Sequence, residues 1–176
     1  MGATSVLTVA NLVLTAASQA LSGSSAGPIN RVLMSPGAEV AWDECECGLL
    51  ALSTGRVYRS RGQIFNDAGD VFLNCDAEIR VVSFSLSVVR CVPSVGDNVT
   101  SAPTADALTA AFAIQEEDGF LVWEAVTDTL CALVKASPPQ VPAYVVNERV
   151  PLGPQGGCAG SQINFKVGWY RPCNCE

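Results

Sequence analysis

Apolar residues between Ser5 and Gly23 recur at helical spacing. Val6, Val9, Ala10, Val13, Leu14, Ala17 and Leu21 fall at i, i+3, i+4 and i+7, the stripe that one face of an amphipathic helix buries. Ser5 is placed to cap the first turn and Gly23 to stop the last. The segment has no basic leading region and is interrupted by Thr8, Asn11, Thr15, Ser18 and Gln19. It therefore predicts a helix packed on a sheet or a neighbour, not a signal peptide or a membrane span.

After a small-residue linker at 22–28 the period changes to that of strands, around residues 31–34 and 48–58. The strongest strand pattern is 78–92, where Val82, Phe84, Leu86 and Val88 alternate with Ser83, Ser85 and Ser87. Ile79 and Val81 fall out of phase with it, which predicts a bulge, or burial of both faces, near Val81 and Val82. Pro93 ends the pairing. Near the end of the chain Ile163, Phe165, Val167 and Trp169 alternate with Gln162, Asn164, Lys166 and Gly168, a second strand with one buried face. The Pro- and Gly-rich stretch before it, 151–160, predicts a tight loop built onto the sheet.

Between these strands, residues 104–134 read as helical. Thr104 is the predicted N-cap, and Ala107, Leu108, Ala111 and Phe112 form one stripe. A second stripe follows at Trp123, Val126, Leu130, Cys131 and Val134, with Asp118-Gly119 expected to break the helix between them. The order predicts an α+β fold: a mostly antiparallel or mixed sheet flanked by an N-terminal helix and a second, broken helix. Length favours one domain over 1–176. Its parts are helix and linker (1–30), a β-rich region with a projecting loop (31–100), a helical region (103–135), and a loop with a C-terminal strand (140–176).

Composition adds that the chain is 49% hydrophobic and only 15% charged. That is little charge to coat a monomer, so surface hidden in an oligomer is expected. With 17 acidic against 10 basic residues the net charge is −7, which argues against reading nucleic acid through phosphate contacts. An acidic wall would instead let DNA pass without sticking.

Catalytic chemistry finds little footing. The chain has no histidine, so the commonest general base and the usual orienter of a serine or cysteine nucleophile are missing. Asp43-Glu44 with Glu46, and Glu116-Glu117-Asp118, read as solvated polar turns. Asn98-Val99-Thr100 fits the glycosylation pattern but is too short a match to carry weight. Cys45, Cys47, Cys173 and Cys175 offer four thiolates, but pairs separated by one residue are tighter than zinc sites use. A cysteine-ligated zinc module is kept as an alternative of a different class. Cys75, Cys91, Cys131 and Cys158 lie in or beside apolar segments and read as small buried hydrophobes. No cofactor, metal or catalytic residue is expected.

Two groups remain as interface residues. Arg56, Arg59 and Arg61 cluster where a strand enters a polar loop, and arginine suits carboxylates on an adjoining subunit. Gly153, Gln155, Gly156 and Gly157 form a turn that can lie close against another chain.

Four landmarks, in order, carry a resemblance. They are Val40-Ala41-Trp42-Asp43-Glu44-Cys45-Glu46-Cys47-Gly48-Leu49-Leu50, Val88-Val89-Arg90-Cys91-Val92-Pro93, Pro103-Thr104 before a helix, and Gly153-Pro154-Gln155-Gly156-Gly157-Cys158-Ala159-Gly160. Together they resemble the tail terminator proteins of long-tailed (siphovirus-type) phages of actinobacteria, over about residues 30 to 170. The first and last are the specific ones. The ending Pro172-Cys173-Asn174-Cys175-Glu176 departs from the family pattern. The resemblance implies a virion protein, assembled in the host cytoplasm, that forms a homohexameric ring on the head-proximal end of the tail tube. Such a ring stops tube growth, touches the tail tube protein and the neck or stopper protein, and lets genomic DNA through without binding it specifically or touching a membrane. Another neck ring, a stopper or head-completion protein, is the nearest alternative.

Overall fold

The alternation at 82–88 and 163–169 builds the centre of a sheet. The computed structural model describes residues 5–37, 48–60, 78–94, 102–155 and 157–171. In chain order these form α1 (Val6–Leu21), β1 (Arg31–Ser35), β2 (Leu49–Ser60), β3 (Glu78–Cys91), α2 (Ala105–Lys135), β4 (Tyr144–Gln155) and β5 (Cys158–Arg171). The strands make one sheet in the order β1-β2-β3-β5-β4. β1 runs parallel to β2 and every other neighbour is antiparallel, so the fold is α+β with a mixed sheet.

Both helices cover the same face. Val9, Val13 and Leu21 of α1 and Val122, Val126 and Leu130 of α2 share one core with Leu50, Leu52, Val82, Phe84, Leu86, Val88, Ile163, Phe165 and Val167. Phe84 and Phe165, directly paired across β3 and β5, stack with ring centroids 5.1 Å apart. Ser5 and Thr104 cap the helices as their positions predict, accepting from the backbone N–H groups of Thr8 and Ala107. A second, smaller cluster of Leu49, Ala51, Val89 and Cys158 lies on the opposite sheet face.

Near Val81 and Val82 both side chains are buried, so β3 is covered on both faces there. The bulge sits on the partner strand, where the β2–β3 register shifts between Thr54 and Val57.

Three expectations are corrected. First, α2 is one unbroken helix of 31 residues. Gly119 does not end it but lets it lie close to β4 and β5, since a Cβ there would collide with Arg149 and come within 3.0 Å of Ser161 Oγ. Second, Glu116-Glu117-Asp118 is not a solvated turn: it lies inside α2, with Asp118 only 2% exposed. Third, 151–160 is not a loop. Residues through Gln155 continue β4, Cys158 begins β5, and the two pair to close a hairpin. β4 hides from a period-2 search because Pro151, Gly153 and Pro154 break its pattern. Proline is tolerated there because β4 is an edge strand, free of any need to donate outward.

Candidate functional site

Strand lengths set where the two groups of interface residues fall. Gln155 pairs with Cys158 at one end of the sheet. Arg59 pairs with Arg80, which pairs with Trp169, at the other. Residues 158 to 169 are 11 steps along β5, so the groups lie about 36 Å apart at ~3.3 Å per residue. The sheet separates the two groups instead of joining them into one site. Arg61 and Gly156 lie outside the described residues.

At the hairpin end, Gly157 takes a positive φ of 80° and its carbonyl accepts from the Val92 N–H at 2.8 Å. This ties the turn to the end of β3. Gly153 and Gln155 are exposed, and a Cβ at Gly153 would meet nothing within 4 Å. Gly160 is different in kind, because a Cβ there would run into the Val88 carbonyl. The sheet needs that glycine.

Beside the hairpin, the first turns of α2 leave a gap over the sheet. The buried residues of α2 begin only at Asp118, and Leu108 and Phe112, earlier on its core-facing stripe, stand across that gap from β4 and β5. Leu108 is 49% and Phe112 62% exposed. Together with Pro93, Pro151, Leu152 and Pro154 they line an open, mostly apolar groove of about 400 Å³. The sequence places Leu108 and Phe112 on one stripe but not at a surface; their exposure comes with the open groove between the start of α2 and the β4–β5 hairpin.

At the opposite end, Arg56 and Arg59 are exposed at the end of β2. The Arg56 guanidinium lies 5.7 Å from the centroid of the Tyr58 ring, and Lys166 Nζ of β5 lies 5.9 Å from the same ring, within cation–π range. Lys166 and Tyr58 carry no signal for this in sequence, being more than a hundred residues apart.

The polar centre of the molecule is a group that sequence reasoning missed. Arg90 Nε donates to Asp118 Oδ2 at 2.5 Å, and Arg90 Nη2 donates to the Gly27 carbonyl at 2.7 Å and to Asp118 Oδ1 at 3.3 Å. Ser24 Oγ donates to Asp118 Oδ1 at 2.5 Å, and Ser25 bonds Glu117 through both its N–H and its hydroxyl. β3, α2 and the linker after α1 are thus fastened at one buried point. The neighbouring Arg149 of β4 pairs with Glu116.

Of the cysteines, Cys158 is buried but disulfide-bonded, which corrects its reading as a plain core thiol. Cys131 is a half-buried free thiol on α2. It hydrogen-bonds Lys135 and attracts its ammonium, which raises the lysine's pKa. Tyr144 is also raised, first by burial and then by Cys131. Cys45, Cys47, Cys75, Cys173 and Cys175, with Asp43, Glu44, Glu46 and the Asn98-Val99-Thr100 motif, lie outside the described residues. Among the described residues no three Cys, Asp or Glu side chains converge as metal ligands, and no helix is long and apolar enough to cross a membrane.

No protein-family model and no curated protein matches this chain.

Proposed function

We propose that this protein is a structural ring subunit of a phage tail, a tail terminator. Six copies close on the head-proximal end of the tail tube, halt its growth and offer a surface to the neck. DNA passes through the opening without specific contacts, and no substrate is transformed.

The observation that carries the reading is the pair of unlike surfaces at opposite ends of one rigid sheet. One is an apolar groove beside the hairpin, with Leu108 and Phe112 exposed; the other carries Arg56 and Lys166 around the Tyr58 ring. A ring requires a heterologous contact between different patches, and a cap on a tube needs a further face for its axial partner. Large exposed apolar side chains beside a groove mark interaction surfaces. The order of the landmarks around Arg90, Thr104 and residues 153–160 supports the assignment to a tail.

The test is negative-stain imaging of the purified protein, alone and mixed with its tail tube protein. Rings seated on one end of each tube are expected, with tube length limited. Rings that bind only a portal or neck preparation would move the protein to the stopper side of the joint. A chain that stays monomeric and leaves tubes growing would end the proposal. Phe112→Ser serves as the companion variant: the groove lies outside the core, so folding is expected to survive while tube capping is lost.

A further inference from the structure

Two cysteines face each other across the sheet, and only one of them is in a disulfide. β3 and β5 pair so that Cys91 lies directly opposite Cys158. Cys158 is 2% exposed and disulfide-bonded. Cys91 keeps its thiol and is exposed, unlike the buried hydrophobe that its apolar neighbours in sequence suggest. Cys131 is a thiol as well, so the sulfur bonded to Cys158 belongs to one of the five cysteines outside the described residues.

The strand ladder sets how close the facing pair is. One step beyond it, the Val92 N–H donates to the Gly157 carbonyl at 2.8 Å. Hydrogen-bonded and non-hydrogen-bonded pairs alternate along an antiparallel ladder, so Cys91 and Cys158 occupy a non-hydrogen-bonded position. Facing Cα atoms there stand about 4.5 Å apart, with side chains of the pair on the same face. That spacing falls within the range of about 4.4–6.8 Å that a disulfide bridges. Rotation of the Cys91 side chain therefore brings its sulfur to that of Cys158 with the backbone in place. Other thiols have poorer access. A dissolved one must reach a sulfur buried with Leu49, Ala51 and Val89, whereas Cys91 is already beside it.

We infer that Cys91 is an exchange nucleophile for the Cys158 disulfide. The Cys91 thiol gives its proton to solvent, and the thiolate attacks the Cys158 sulfur. A Cys91–Cys158 bond forms as the old S–S bond breaks, and the displaced cysteine leaves as a thiolate that takes up a proton. One disulfide and one thiol are present before and after, so no oxidant or reductant is consumed. What changes is the place of the crosslink. In one form it ties the start of β5 to a segment outside the described residues; in the other it clips β5 to β3 and lets that segment go. The β3–β5 register is the same in both, because the two residues already pair. Leu152 packs against the cluster that holds Cys158 and also lines the groove beside the hairpin, as do Val92 and Pro93 next to Cys91. The exchange therefore takes place at the wall of that groove, and it does not depend on the ring reading.

The oxidised full-length protein provides the test. It is brought from pH 5 to pH 8, trapped with N-ethylmaleimide at intervals, and digested without reduction, and disulfide-linked peptides are identified by mass spectrometry. A pair joining Cys91 to Cys158 is expected to grow at the expense of the original pair within the monomer. Its growth should be at least about tenfold faster at pH 8 than at pH 6, because the thiolate is the attacking form. In Cys91→Ser the original bond should persist throughout. The wild-type time course decides the matter by itself if that substitution disturbs folding.

A wild type in which Cys91 is fully blocked by the reagent at every interval, with no Cys91–Cys158 pair, would overturn the inference. So would Cys158 found as a thiol in the oxidised protein, or bonded to Cys91 alone from the outset, since neither state has a second bond to exchange. A Cys91–Cys158 link confined to covalent dimers would overturn it too, by placing the two sulfurs on different copies.

Discussion

Asp118 accepts from Ser24 Oγ and from two nitrogens of Arg90 while only 2% exposed, and Arg90 is itself 9% exposed. Removing one member strands the other as an uncompensated buried charge. Asp118→Ala is expected to lower unfolding stability by about 3–5 kcal/mol, whereas Arg90→Met with Asp118→Leu should lose far less. Urea denaturation of the two variants measures the difference, and an Asp118→Ala cost under about 1 kcal/mol would contradict the anchoring role. The hairpin glycines make a second contrast. Gly160→Ala drives a methyl into the Val88 carbonyl and is expected to cost about 1–3 kcal/mol or more. Gly153→Ala, with open space around it, should stay within about 0.5 kcal/mol. Equal costs would mean that the β3–β5 approach at Gly160 is looser than described.

At the scale of elements, α1, β2, β3, β5 and the caps at Ser5 and Thr104 were legible in the sequence because a helix or strand period runs through most of each, with a change of phase in β3. What escaped has a common cause. Gly119 reads locally as a helix breaker, yet tertiary contact with β4 and β5 decides its role. Pro151 and Pro154 read as loop residues, yet an edge strand accommodates them. The Arg90–Asp118 pair and the Tyr58–Lys166 contact join segments that no local pattern links. Of the residues named for an interface, Arg56, Arg59, Gly153 and Gln155 are exposed, and their separation to opposite ends depends on strand register. The C-terminal end of α2 also yields a pH prediction. Lys135 and Tyr144 both hold protons more tightly in the folded protein than at their ordinary 10.5 and 10.0. Stability from each is present below those values and lost as pH rises through the raised folded-state ones. Melting temperature should therefore fall on the alkaline side above about pH 10, with Tyr144→Phe reducing the slope. A slope unchanged in that variant would remove Tyr144 from the account.

For the whole molecule, the disulfide at Cys158 sets a condition on when the structure is complete. The resemblance to tail terminators implies assembly in a host cytoplasm, and under that reading the reducing cytoplasm keeps thiols reduced and oxidation follows release of the particle. Alkylation of denatured protein from mature particles should label Cys131 at once and Cys158 only after reduction. Labelling of Cys158 without reductant would show that the bond does not form in the virion.

Sheet order has its own consequence for how the polypeptide is made. β3 lies in the interior of the sheet, and its neighbour on one side is β5, the last strand in chain order. A growing chain on the ribosome thus carries a long strand with an unsatisfied side until residue 171 has emerged. The linker after α1 likewise waits for Asp118 before it can be fastened. Stalled or shortened translation products should therefore clump or be degraded, while the finished chain snaps together late and nearly as a unit.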